Sequence, residues 1–191
     1  MITELDQRSQ LSFDEILLDF AKAFDSVLLM RLLLKLDCLG IRNKLLTWCK
    51  SFLSDRWQRV LVGGFMSEWE KIDSGVPQGS VLGPLFFVVF INDLLVRIKN
   101  VGKLFADDTK LMSIIKSVLD QISLQDDLII LKEWTNDWQI KFNSLVKCKV
   151  MHFGKTNSMY KYKIDYEFWR KLKWKKILVF LFQIMWTGAI I

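Results

Sequence analysis

Residues 101–112 read VGKLFADDTKLM. Apolar residues flank an adjacent acidic pair on both sides, Leu104 and Phe105 before it, Leu111 and Met112 after it. Two strand-like runs about a short centre predict a β-hairpin with Asp107 and Asp108 at its turn. Neighbouring carboxylates repel each other unless something cationic neutralises them. A hard divalent cation does so best, because carboxylate oxygens are its preferred ligands. The stretch by itself leaves a second reading open, an exposed Asp-Asp turn whose side chains serve only local amides.

Outward from this stretch, composition sets bounds. The chain has 191 residues, 51% hydrophobic and 25% charged, enough for one domain with a substantial core. Cys38, Cys49 and Cys148 show no CxxC spacing, which argues for reduced intracellular thiols over a disulfide framework or a zinc site. The opening MITELDQRSQ is polar and acidic and is read as no signal peptide. The net charge is +6, unevenly spread. Residues 1–154 hold 19 Lys+Arg against 19 Asp+Glu, and residues 155–191 hold 8 against 2. The body is therefore neutral, and overall basicity is no argument for nucleic-acid binding.

Residues 13–20 read as a strand that ends near Asp19. Residues 22–39 carry apolar residues at helical spacing (Leu29, Leu32, Leu33, Leu36, Leu39) up to Gly40. A second short helix follows, with Leu45, Leu46, Cys49, Phe52 and Leu53 on one side. WQRVLVGGFMSEWEKI predicts a hairpin about Gly63-Gly64. DSGVPQGSVLGP, residues 73–84, is a Gly/Pro/Ser-dense loop, and Pro84 suits the first turn of an apolar helix over 85–98. Residues 117–140 predict an amphipathic helix with Leu124, Leu128, Leu131, Trp134 and Trp138 inward, and 147–153 a short strand. This order suggests an α+β fold with an antiparallel sheet. Beyond residue 160 no period holds. The final apolar run of 15 residues is shorter than the roughly 20 a membrane span needs, so at most a weak C-terminal anchor is expected.

Three features call for a joint explanation: Asp19 at a strand end, Asp107-Asp108 at a hairpin turn, and a glycine-rich loop between them. Three carboxylates about one point form the ligand set of a two-metal site for in-line phosphoryl transfer. The loop glycines would let backbone amides approach a substrate, and Gln78 would offer an amide to a sugar or base.

LLDFAKAFDSV, SFLSDRWQRVLV, SGVPQGSVLGPLFFVVFINDL, LFADDTKL and KCKVMHFGK, in this order, resemble the reverse transcriptases of non-LTR (LINE-type) retrotransposons, jockey-like in character. The resemblance covers roughly residues 1–164. It implies a right-hand polymerase fold, of which these segments are the palm, an antiparallel sheet packed on helices. It implies that Asp19, Asp107 and Asp108 are catalytic and hold two Mg²⁺ ions, or Mn²⁺. It places Phe20, Phe24, Gln78, Gly79 and Phe105 at the incoming nucleotide. Phe24 matches the bulky residue that closes the pocket against a 2′-hydroxyl, and Lys147 the lysine that protonates departing pyrophosphate. The implied partners are an RNA template, a DNA primer and dNTPs, without stable membrane association, and the implied location is the cytoplasm or nucleus.

The sequence departs from the family pattern. Leu28-Leu29 stands where a Pro-His pair is usual. Fingers strands before the first motif, a thumb after residue 164 and an endonuclease domain are not recognisable. Residues 165–191 are expected to form a divergent basic-aromatic and apolar tail. The expectation is an RNA-directed DNA polymerase fragment of a mobile element, with apolar faces left exposed and marginal stability. The alternative is a catalytically inactive remnant, or a palm fold reused for RNA or protein binding. Among other residues, Asp25 is read as a cap of the helix that follows, His152 as a partly buried strand residue, and Trp134 and Trp138 as core. Lys50, Arg56 and Arg59 are open between phosphate contacts and a solvated surface.

Overall fold

The computed structural model describes residues 11–143, 148–164, 167–168 and 170–171. Its centre is β1 (Ser12–Asp19), buried along nearly its whole length because it has neighbours on both edges. A 3-10 turn (Ala23–Ser26) leads to α1 (Leu29–Cys38) and α2 (Asn43–Leu53). Then come β2 (Arg56–Gln58), β3 (Leu61–Val62), β4 (Phe65–Met66), β5 (Glu70–Ile72) and α3 (Leu82–Ile91). The hairpin β6 (Val101–Phe105) and β7 (Asp108–Ile115) is followed by α4 (Val118–Trp138), β8 (Lys149–Phe153), β9 (Lys163–Ile164), β10 (Glu167–Phe168) and β11 (Arg170–Lys171). The main sheet has five strands in the order β11-β8-β1-β7-β6. All its pairings are antiparallel except that of β11 with β8. β11 lies beyond the boundary at residue 164 expected from the sequence, and it extends this sheet.

Strand alternation gives the sheet two unlike faces. On one, Ile16 and Leu18 of β1, Leu111 of β7 and Val150 of β8 join the main core, with Phe87 and Phe90 from α3 and Leu124, Leu128 and Leu131 from α4. On the other lie Phe13, Glu15, Leu17 and Asp19, opposite Ile114, Met112, Lys110 and Asp108. The helices thus back one face of the sheet, and the acidic end of β1 belongs to the other.

The expected helix over 22–39 is interrupted. Two of its carbonyls are claimed from outside: Val76 N donates to Phe24 O at 2.8 Å and Gly75 N to Val27 O at 2.7 Å. The chain therefore makes one 3-10 turn, runs extended at Val27 and Leu28, and restarts as α1. The helix expected over 85–98 begins at Leu82 and ends at Ile91, with Pro84 in its first turn. It continues only as tight turns, Leu94 N to Ile91 O and Val96 N to Asp93 O, while the Asp93 carboxylate is held by Lys35 Nζ and by Trp134 Nε1. Lys35 is the one buried ammonium of the described residues, ringed by Phe90, Trp134 and Trp138. Desolvation lowers its pKa, against the pull of Asp93.

α4 begins at a capping box. Asp120 Oδ2 accepts from the amides of Lys116 and Ser117, which holds its carboxyl below the usual range. Midway along the helix, fully buried Asp127 accepts from Lys99 N at 2.9 Å and Asn100 N at 2.8 Å. That grip fixes where the chain enters β6. Trp134 is buried in the core and Trp138 packs against it, as read from their spacing. His152 is buried as well, bonded to Asp14.

The segment 56–72 forms the expected hairpin but stands off the core. Trp57, Val62, Phe65, Met66 and Trp69 are all exposed, and Arg59 stacks on Trp69 at 4.5 Å. Arg56, by contrast, donates to the carbonyls of Leu53, Ser74 and Gly75 and is a structural clasp. No helix of the described residues is long and apolar enough to cross a membrane. The C-terminal apolar run lies outside the described residues.

Candidate active site

The hairpin turns on two residues, Ala106 and Asp107, with Ala106 left-handed at φ 51°. Asp108 is therefore not a turn residue, as the sequence suggested, but the first residue of β7. It pairs with Phe105 across the hairpin and with Asp19 on the other side. Directly opposed residues of an antiparallel pair carry side chains on the same face, with Cβ atoms about 5 Å apart. Asp19, Asp108 and Phe105 thus form one row across three strands, on the face turned from the helices. Asp19 is 8% exposed, while Asp108 and Phe105 are exposed. Asp107 follows in the turn, half-buried.

Two like charges directly opposed destabilise a sheet. The pair is tolerable where a cation sits between them. Among the described residues no three His, Cys, Asp or Glu side chains cluster closely enough to hold a metal by themselves. The donor set is nonetheless of the right chemistry for a hard divalent cation. Mg²⁺ characteristically takes one or two protein carboxylates and completes its shell with water and substrate phosphates. Asp19 and Asp108 supply such a pair, and Asp107 is the adjacent oxygen donor.

The end of β1 is braced from one side by residues 141–143. Asn143 N donates to Asp19 O at 2.7 Å and Ala21 N to Lys141 O at 2.8 Å. Cys148 Sγ points at the same Asp19 carbonyl, 3.8 Å away, and burial pushes its thiol up to about 11. It stays a protonated spacer beneath the site. Phe20, expected at the nucleotide, is 2% exposed and stacks on Phe142 with centroids 4.7 Å apart. Its ring belongs to the core, because it faces the helix side of the sheet; this corrects its placement among nucleotide contacts. Lys147 lies outside the described residues.

The loop 74–79 is fastened to the turn after β1. Besides the two backbone bonds to Phe24 and Val27, Ser74 Oγ donates to Asp25 O at 2.7 Å and Gln78 Nε2 to Asp25 Oδ1 at 2.7 Å. Asp25 therefore does not cap α1, whose first turn has no side-chain cap; its carboxylate instead orients the Gln78 amide. The Phe24 ring stacks on Phe87, centroids 4.9 Å apart, and is half-buried. Gly79 has φ +80° and open space where a side chain would be. Gly75 has φ +86°, and a Cβ there would lie 2.8 Å from Asp25 Cα and 2.9 Å from Phe24 O. Gly75→Ala is expected to cost about 2–3 kcal/mol, from left-handed strain plus the backbone clash. Denaturant unfolding measures it, and an unchanged midpoint would show that the loop yields freely.

Sequence reasoning missed the Asp25–Gln78 bond. The residues are 53 apart in the chain, and no local pattern predicts a side-chain pair at that distance. The row Asp19–Asp108–Phe105 was within reach: once the turn is taken as two residues, strict alternation puts positions 105 and 108 on one face.

Comparison with known proteins gives a family and a fold. The family model described as "Reverse transcriptase (RNA-dependent DNA polymerase)" matches residues 12–181. The RNA-directed DNA polymerase from mobile element jockey of Drosophila melanogaster is 35% identical over 150 residues, covering 74% of this chain and 16% of that protein. The probable RNA-directed DNA polymerase from transposon X-element, also of Drosophila melanogaster, is 30% identical over 137 residues, covering 69% and 15%. The chain thus spans about one-sixth of the length of these relatives. Among solved structures, an apo telomerase from Candida tropicalis, truncated from its C-terminal domain, superimposes with TM-score 0.56 at 15% identity. That match covers 85% of this chain and 35% of the telomerase chain, and it shows a shared fold.

Proposed function

Because the chain belongs to the reverse transcriptase (RNA-dependent DNA polymerase) family, we propose that it is the palm of a mobile-element reverse transcriptase, extending a DNA primer along an RNA template from dNTPs. The observation that carries this reading is the register of β1 and β7, which sets Asp19 opposite Asp108 with Asp107 beside it. In this reading Asp19, Asp107 and Asp108 hold two Mg²⁺ ions. Those ions, when bound, would sharpen the primer 3′-hydroxyl as a nucleophile and stabilise the pyrophosphate leaving group.

The other roles fall to the chain's own groups. Phe24, braced on Phe87, blocks the space beneath C2′, so a hydrogen fits and a hydroxyl does not. Gln78, oriented by Asp25, donates to the nucleotide or the template, and the bare Gly79 backbone lets them approach. Phe105 offers a ring at the edge of the acidic row. Lys147 delivers a proton to departing pyrophosphate. The setting is intracellular, in the cytoplasm or nucleus, where RNA templates occur.

Mg²⁺-dependent extension of a DNA primer on an RNA template tests the reading, and no extension by the pure chain at any divalent concentration would overturn it. Phe24→Ala is expected to raise incorporation of ribonucleotides relative to deoxynucleotides by at least tenfold, about 1.4 kcal/mol of lost discrimination. The ratio of the two kcat/KM values measures this, and equal ratios would remove Phe24 from the role.

A second reading is a non-catalytic module of the same fold that binds RNA or protein. It is favoured by the absence of a three-ligand cluster among the described residues. The same primer-extension assay separates the two.

A further inference from the structure

Asp107 lies in the loop between β6 and β7, and the two strands are fixed very differently. β7 pairs with β1 along its whole length, from Ser12 opposite Ile115 to Asp19 opposite Asp108, so Asp108 takes its place from the middle of the sheet. β6 is the last strand of that sheet, with β7 as its one partner among the described strands. None of its residues is buried, and Leu104 alone of its side chains packs against the core. A strand with so little buried has a weakly specified register.

The loop does not set the register either. Phe105 pairs with Asp108, which leaves Ala106 and Asp107 as a two-residue loop, and Ala106 is left-handed at φ 51°. Such loops favour Gly, Asn or Asp at a left-handed position, because a Cβ is otherwise strained there. Gly102 gives a soft constraint. A Cβ there would lie 2.6 Å from Ile98 Cδ1 and 2.9 Å from Leu95 Cδ1, but both are side-chain ends that can shift.

What remains is the start of the strand. Asp127, fully buried midway along α4, accepts from Lys99 N, from Asn100 N and, at 2.8 Å, from Asn100 Nδ2. Asn100 Nδ2 also donates to Ser123 Oγ at 3.2 Å. A buried carboxylate is stable only while its oxygens are hydrogen-bonded, so this grip is costly to release. Two successive backbone amides would not by themselves distinguish one register from the next. The Asn100 side chain does. A slip of one residue would bring Lys99 or Val101 to Asp127 and Ser123, and neither carries an amide side chain.

We propose that Asp127 and Asn100 are positioning residues for the acidic turn: together they key the register of β6 and so set where the hairpin turns at Asp107. This rests on the polymerase reading and adds to it two residues remote from the reacting atoms. Asn100 stands seven residues before Asp107, roughly 20 Å of strand. A slip of one residue moves the loop by about 3.3 Å. A displacement of about 1 Å at a reacting centre is enough to lower a rate about 10²-fold. Asp108 stays with β1, so the slip carries Asp107 away from it.

The test begins without nucleic acid or metal. Amide hydrogen exchange of the full chain is followed by mass spectrometry, for the parent and for Asp127→Asn. Exchange over 99–105 is expected to quicken by about tenfold or more, while β1 and β8 stay within about twofold of the parent. In primer extension the same variant is expected to raise the half-saturating Mg²⁺ by about fivefold or more, with the Kd for primer–template unchanged. Asn100→Ala keeps both backbone amides and should give the same pattern, weaker; it replaces Asp127→Asn if that variant does not fold. Glu133→Gln removes only an exposed ion pair of α4 with Arg97 and should move neither readout. Unchanged exchange over 99–105 overturns the proposal. So does a rise shared equally by β1 and β8, which would make Asp127 an ordinary core residue, and so does a loosened β6 with unchanged Mg²⁺ dependence. A parent chain that extends no primer sinks the polymerase reading instead, and the exchange pattern still decides whether Asp127 and Asn100 hold the hairpin.

Discussion

Asp19→Asn is expected to abolish primer extension, by at least about 10³-fold, or about 4 kcal/mol of transition-state stabilisation. The substitution keeps the shape of the side chain and removes the charge that recruits a divalent cation. It should not harm the fold. Asp19 stands opposite Asp108 at the end of β1, so the variant relieves a repulsion within the sheet. The expected signature is therefore split: activity lost, melting temperature equal to the parent's or higher. Asp107→Asn is expected to share the activity loss. An Asp19→Asn chain that still extends primers at the parent rate would sink the two-carboxylate mechanism. One that loses activity only by unfolding would show that Asp19 is a structural residue.

Asp14→Ala is expected to be the most damaging substitution for stability, at about 3–5 kcal/mol. Asp14 is fully buried on the core face of β1, and three groups converge on its carboxyl. His152 Nδ1 lies 2.7 Å from Oδ1, Asn157 Nδ2 donates to the same oxygen at 2.7 Å, and the Tyr162 hydroxyl donates to Oδ2 at 2.6 Å. Burial, before the bond to Asp14, pushes the Tyr162 hydroxyl far above its ordinary value, so it remains a donor. Removing the carboxyl takes the acceptor from His152 and Tyr162 at once, while Asn157 Nδ2 keeps the carbonyls of Phe13 and Phe153, against a typical total stability of about 5–15 kcal/mol. The same cluster ties residues 157–162 back onto β1, which flanks the site through Asp19. Tyr162→Phe should cost less, about 1–3 kcal/mol, because it takes the donor from Asp14 Oδ2 alone and leaves the bonds to Oδ1 in place. Urea unfolding of both variants measures the ranking. Equal costs would show that the Tyr162 bond alone carries the contribution of the cluster.

Much of this molecule was legible in its residues. The strand over 13–20, the short helix around Cys49, the long helix with Leu124, Leu128 and Leu131 inward, and the hairpin about the acidic pair all carry period-2 or period-3.6 patterns, and they appear within a few residues of where those patterns place them. The misses share one cause. The helix over 22–39 is broken because amides of a distant loop take the carbonyls of Phe24 and Val27. The helix after Pro84 stops early where Asp93 is taken by Lys35 and Trp134. Phe20 reads like a site residue and is core, because the strand's alternation turns it to the helices. Asp25 reads like a cap and serves Gln78. In each case a partner far along the chain outbid the local preference, and local propensity holds no information about such a partner.

The chain's own order of residues determined the element types, the hairpin, the sheet's apolar face and the family to which it belongs. Tertiary structure decided which side chains meet: that Asp19 faces Asp108 and that Gln78 is held by Asp25. The reason is that strand pairing has a period of two and no memory of sequence distance. Alternation says which residues share a face, but only the register between strands says which of them stand opposite one another.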